Sequence, residues 1–260
     1  MIALDDAAWG APWRHIRVSE KLLLSMGLVL TALIAPAWPA APLVALASVV
    51  ATLGPARIPI RTLATGFAAP LVFILIGSIS VAFIVGLAPA EAWFQLGPLS
   101  LTTASVLNGL QLFARSAAGT LAILLLATTT PMVDLLGWAR QRGVPGPLVE
   151  VASLIYRLLF VLLDTALAMH VAQVARLGDA PAGPKPFKRR MNTAANTMGT
   201  LLVRSWDRAA RLTDGLAARG IDGDLITLPR RMPASPRFLA AVGVLLGGIW
   251  LLTIGWTVLS

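Results

Sequence analysis

"PLVEVASLIYRLLFVLLDTALAMHVAQVA", residues 147–175, is the stretch on which the fold turns. It is apolar and longer than the roughly 20 residues a helix needs to cross a bilayer. It nevertheless carries Glu150, Arg157, Asp164 and His170. Steps of seven, seven and six place these four near one stripe of a helix. A polar stripe suits an amphipathic helix at or under a membrane better than a span surrounded by lipid. The spacing therefore predicts a long helix that does not span, or is only partly embedded.

Outward from this stretch, apolar runs occupy 22–37, 41–55, 63–88, 104–130 and 238–259. In lipid such runs must be helices, because every backbone polar group has to be paired internally. Pro36, Pro39 and Pro42 split the first two and predict a tight helical hairpin. The first 41 residues are expected to be a retained span and not a cleaved signal peptide, because Asp5, Asp6 and Glu20 interrupt the basic start and prolines spoil a cleavage site. The bulk numbers agree with a membrane protein: 13% of residues are charged, against about 25% in soluble domains. Without cysteine there are no disulfides, thiolate sites or cysteine nucleophiles, and two histidines, His15 and His170, speak against a transition-metal cage.

Charge placement sets the expected topology. Fifteen of the 21 Lys and Arg residues lie between Arg140 and Arg237, and none between 62 and 114. With five spans, all basic loops fall on one side and the 89–103 loop on the other. The positive-inside rule makes the basic side cytoplasmic, with the N-terminus inside and the C-terminus outside. The net charge of +9 is thus topological. Aromatic and basic residues do not interleave as in nucleic-acid binders, so no nucleic-acid partner is expected. The expected fold is an all-α integral membrane protein. About five transmembrane helices are joined by a cytoplasmic domain of two long amphipathic helices. The divisions are 1–130, 131–237 and 238–260.

The cytoplasmic block opens with "TTTPMVDLLGWARQRGVPGPLVE". Thr130 is expected to cap a short helix that begins at Pro131 and ends at Gly143. Pro147 starts the next helix, which runs to Leu177 and stops at Gly178. After the turn-rich "DAPAGPKP" of 179–186, Phe187, Met191, Ala194, Met198, Leu201, Leu202, Ala209, Leu212 and Leu216 form an apolar stripe, with Arg204, Arg208 and Arg211 on another side. That helix ends at "AARG", with Gly220 as the left-handed cap.

Both long helices therefore end on an arginine after an alanine: Ala175–Arg176–Leu177 and Ala218–Arg219–Gly220. Favourable placement at a helix C-terminus is worth about 0.3–1 kcal/mol and explains either arginine alone. Small flanks also let a backbone approach another surface, where a guanidinium can fork into a carboxylate or carbonyls.

At these residues the chain resembles the transmembrane T component of energy-coupling factor (ECF) transporters, most closely the CbiQ type of cobalt uptake systems. "SEKLLLSMGLVL" (19–30), the pattern of Arg, Thr-Thr, Gly-Val-Pro, Tyr-Arg, Ala-Gln and Arg through 108–178, and "LTDGLAARG" (212–220) carry the resemblance. It implies that the two cytoplasmic helices dock onto two ATP-binding-cassette ATPases, each motif arginine entering a groove on one of them. It also implies a membrane-embedded substrate-binding S component, no catalytic activity in this chain, and no cofactor. By matching, Arg176 and Arg219 are docking arginines with small flanks Ala175, Ala218 and Gly220. Leu177 departs from the small residue usual at that place. "LDDAAWGAPWRHIRVSEKL" resembles cobalt- and nickel-type T components, although it holds no ligand cluster; its residues alone read as an interfacial segment with Trp9 and Trp13 at headgroup level.

Arg115 falls inside the fourth apolar run, where it is read as snorkelling, as an internal pair that fixes helix packing, or as a strut toward the S component. Asp134, Arg157 and Asp164 are expected to form internal pairs. The rival readings are a T component for a vitamin, an ordinary permease, and a membrane enzyme. The chain lacks a Gly-x-Ser-x-Gly elbow, a His-Glu-x-x-His motif and a Gly-Lys-Ser/Thr phosphate loop. ATP must then be hydrolysed by a partner.

Overall fold

The computed structural model describes residues 2–85, 94–96, 99–176, 186–220 and 233–259. By internal contacts the chain divides into two units, Met1–Leu135 with Arg230–Ser260, and Leu136–Pro229.

The first unit is a helical bundle. Short α1 (Ile2–Gly10) and a 3₁₀ turn (Pro12–His15) precede α2 (Val18–Ile34), α3 (Ala37–Leu53), α4 (Ile60–Ala82) and α5 (Thr103–Thr129). Helix α6 (Met132–Gln141) begins in this unit and passes into the second after Leu135, and α9 (Pro236–Leu259) completes the bundle. The expected α2–α3 hairpin is present. Its turn falls at Ala35–Pro36 because Pro36, at the N-cap of α3, cannot continue α2.

The core follows from residue size. Leu24, Leu28 and Ala32 recur every fourth residue of α2 and pack with Ala41 and Val44 of α3 and Ala118, Ala122 and Leu125 of α5. The alanines of α5 let two helices approach closely. Val242 and Ile249 bring α9 onto the same core.

Hydrogen bonds between helices fix their directions. Ser25 Oγ donates to Ala122 O (2.6 Å), Lys21 Nζ to Thr129 O (2.9 Å) and Arg115 Nη2 to Ala35 O (2.9 Å), so α2 runs antiparallel to α5. Glu20 Oε1 accepts from Ser235 N (2.9 Å) and Trp250 Nε1 donates to Thr31 Oγ1 (3.2 Å), so α9 runs parallel to α2. Thr129, the end of α5, and Ser235, just before α9, therefore lie at the same end of the bundle.

Two expectations shift. The run 63–88 was read as one apolar segment, but α4 stops at Ala82 and Ile84–Val85 joins a small antiparallel sheet with Phe94–Leu96 and Leu99–Leu101, the last strand central. Its β-branched and aromatic residues suit strands. A capping box then starts α5: Ser105 N donates to Thr102 Oγ1 and Thr102 N to Ser105 Oγ. Trp13 is the second shift. It does not lie on the outside of the bundle but is 8% exposed, edge-on to Phe238 at 5.1 Å. Trp9 is the exposed one, with the Arg14 guanidinium 4.2 Å from its ring centre.

By length and composition α4, α5, α7 (Gly146–Ala175) and α9 could each cross a membrane, whereas α2 and α3 have 17 residues each. The chain is an all-α multi-pass membrane protein.

Candidate functional site: the arginine ends of two long helices

The second unit holds α7 and α8 (Pro186–Ala217). Before them Gly143, at φ +93°, ends the α6 turn as expected, but Thr130 does not cap α6. The carbonyl of Pro131 accepts from Leu135 N, which makes Pro131 the capping position, and Thr130 Oγ1 is buried with no partner among the described residues. Pro147 sits in the first turn of α7, where a missing N–H costs nothing.

Helix α7 ends at Ala175, two residues short of the expected Leu177, which lies outside the described residues with Gly178. Arg176 is its C-cap, its N–H reaching Ala172 O and Gln173 O, both at 3.2 Å. Helix α8 ends at Ala217. Ala218 N donates to Asp214 O (2.9 Å), Arg219 N to Leu216 O and Gly220 N to Ala217 O (both 3.0 Å). Gly220 has φ +68°, the left-handed cap that glycine adopts without strain. Ala175, Arg176, Ala218, Arg219 and Gly220 are all exposed. Neither guanidinium makes a hydrogen bond or ion pair with another described residue.

The two helices meet where Gln173 Nε2 donates to Thr197 Oγ1 at 2.6 Å. Beside that bond an open groove of about 660 Å³ is lined by Asp164, Met169, Gln173 and Arg176 of α7 and by Arg204 of α8. The helices therefore run antiparallel there. Thr197 and Arg204 share one side of α8, and the apolar stripe lies on another. Phe187, Met198 and Leu202 are 75%, 70% and 70% exposed.

Arg115 Nη2 donates to Ala35 O, at the carbonyl end of α2. Arg157 and Asp164 are exposed and in no salt bridge among the described residues; the pair that forms is Arg140–Glu150, at 3.8 Å. Asp134 makes no salt bridge among the described residues, though its charge reaches Lys21. Glu20 and Lys21 are 4% and 2% exposed; the sequence showed them only as charges before the first span and as part of the 19–30 stretch that carries the resemblance, and gave no sign of their burial.

These features define a multi-pass membrane protein with a second, helical unit. Comparison with known families matches residues 10–229 to CbiQ, described as cobalt transport protein. Similar proteins include the cobalt transport protein CbiQ of Rhodobacter capsulatus, 36% identical over 92% of this chain and 93% of that one. The CbiQ of Salmonella typhimurium is 28% identical over 86% of this chain and 99% of its own length. A putative fused cobalt transport protein CbiMQ of Methanocorpusculum labreanum is 26% identical over 85% of this chain but 36% of its own. The chain belongs to the CbiQ cobalt transport protein family, and it is a membrane transport component.

Proposed function

We propose that the chain is the energy-coupling T subunit of an ATP-driven, ECF-type cobalt importer, with nickel as the less favoured metal. It links two ATP-binding-cassette ATPases to a substrate-binding S component in the membrane. The observation that carries this reading is the pair of exposed arginine ends. From Thr197, where α8 meets α7, to the helix end at Ala217 is 20 residues, or ~30 Å of helix at 1.5 Å per residue, and Arg219 lies two residues further on. Arg176 lies three residues from Gln173 at that junction. Two well-separated guanidinium groups on one body suit two partner sites better than one.

The parity of the helices supports a non-spanning α7. Helix α5 ends and α9 begins at one end of the bundle, so an even number of crossings lies between them. Helix α8 carries Lys188, Arg190, Arg204, Asp207, Arg208 and Arg211 and is not a span. Were α7 to cross, nothing would bring the chain back. The whole 136–229 unit is then on one side, and its basic residues make that side the cytoplasm.

The family supplies the metal, and the name of the fused relative supports work beside another membrane component. With no cysteine and two histidines, metal recognition belongs to the S component. The decisive experiment is cobalt uptake into proteoliposomes. Uptake should require ATP, the ATPases and the separate substrate-binding subunit together with this chain. Uptake by the chain and ATPases alone would instead make it an ordinary permease.

A further inference from the structure

Glu20 and Lys21 are consecutive residues of α2 and both are buried. Buried charges persist only when bonded. Neighbours on a helix leave the axis about 100° apart, so the two side chains reach different elements. Lys21 Nζ donates to the carbonyl of Thr129, the last residue of α5, 2.9 Å away. Six residues later, at Leu135, this segment of the membrane unit ends. Glu20 Oε1 accepts from the amide of Ser235, also at 2.9 Å, directly before α9 begins at Pro236. Ser235 lies five residues after Arg230, where the chain rejoins the membrane unit. One turn of α2 thus grips both connections to the 136–229 unit.

The surroundings leave room for re-pairing. The charges of Asp134 and Arg14 both reach Lys21. Glu20 Oε2, Thr130 Oγ1, Asp134 Oδ2 and Arg14 Nε are buried without a hydrogen-bond partner among the described residues. A buried network with unused acceptors has more than one way to satisfy its charges, which is what a two-state joint requires.

We infer that Glu20 and Lys21 form a double clasp that passes movement of the 136–229 unit into the membrane bundle through α2. They are positioning residues for transport and touch neither metal nor nucleotide. The inference rests on the energy-coupling reading above.

The test uses the full complex in proteoliposomes and reads cobalt imported per ATP hydrolysed. Lys21→Met removes the donor at similar length, and Glu20→Ala removes the acceptor. Both should assemble and hydrolyse ATP, while cobalt per ATP falls about tenfold, as coupling losses within a network do. Glu20→Gln keeps an acceptor for Ser235 N and Lys21→Arg keeps a donor, so both should stay near wild type. An unchanged ratio in Lys21→Met and Glu20→Ala, or uptake falling only in step with the amount of complex, overturns the clasp. Hydrogen exchange on the detergent-solubilised chain provides a second reading. In Glu20→Ala the Ser235 amide should exchange about tenfold faster while α4 is unchanged. An unchanged Ser235 amide also overturns the proposal. If the wild-type complex shows no ATP-driven uptake, the energy-coupling reading fails by itself, and exchange at Ser235 still decides whether the clasp exists.

Discussion

The side-chain amide of Gln173 donates to the Thr197 hydroxyl at 2.6 Å, and Thr197 in turn donates to Thr193 O at 2.8 Å. This chain ties the last turn of α7 to the first half of α8 and so sets the spacing of the two exposed arginines. Removing it costs about 1 kcal/mol, the net worth of an ordinary hydrogen bond. Gln173→Leu should therefore leave a folded protein whose α7 end is less fixed. Spin labels at positions 175 and 218 would report a broader distance distribution than in the parent. Identical distributions would show that the bond does not set the spacing.

Arg115 bridges two helices from inside the bundle, through Ala35 O at the end of α2. Replacing it with Met leaves that carbonyl unpaired, at a cost of about 1–3 kcal/mol. Arg115→Lys keeps a donor and should lose less. Thermal unfolding in detergent measures both. Equal melting temperatures for parent and Met variant would move the role of Arg115 from helix packing to a partner surface.

Two glycines should respond differently to an added methyl group. A Cβ on Gly109 would lie 2.7 Å from the backbone carbonyl of Ser78, which cannot move without shifting α4. A Cβ on Gly27 would meet Leu246 Cδ1 at 2.6 Å, the end of a flexible side chain. Gly109→Ala should cost about 1–3 kcal/mol, and Gly27→Ala distinctly less. Unfolding in detergent should rank them in that order; the reverse order would place the close α4–α5 approach elsewhere.

Single cysteines introduced into this cysteine-free chain test the sidedness. Positions 95 and 150 should label from opposite faces of the membrane, with 150 on the same face as 218. Labelling of 95 from the cytosolic face alone would refute the topology.

Much of the fold was legible because lipid restricts the possibilities. The runs at 22–37, 41–55, 104–130 and 238–259 became helices within a few residues of their apolar limits. The prolines at 36 and 39 placed the hairpin, and Gly143 and Gly220 marked ends through left-handed backbone. Other features depended on partners distant in sequence. Burial of Glu20 and Lys21 requires Ser235 and Thr129, which no local pattern joins to them. Trp13 looked interfacial because its packing partner, Phe238, belongs to the last helix. Ile84–Val85 read as helix because a strand that short has no periodicity to show. For the site, the positions of Arg176 and Arg219 at helix ends were readable from their glycine and alanine neighbours. The Gln173–Thr197 junction that spaces them was not.

The central claim is that Arg176 and Arg219 are docking groups and not merely charges favoured at helix ends. Helix-end charges would tolerate lysine, which keeps the dipole interaction. A forked contact would not, because lysine lacks the planar bidentate geometry. Truncating one partner of a buried, hydrogen-bonded charge pair costs roughly 2–5 kcal/mol, and two anchors on one body act together. The most direct measurement is recovery of the ATPases with affinity-purified chain, beside cobalt uptake, in the double variant Arg176→Glu with Arg219→Glu. The account predicts a membrane-inserted, folded chain that no longer retains the ATPase pair or supports uptake, with the double lysine variant intermediate. Full ATPase recovery with normal uptake in the double glutamate variant would contradict it.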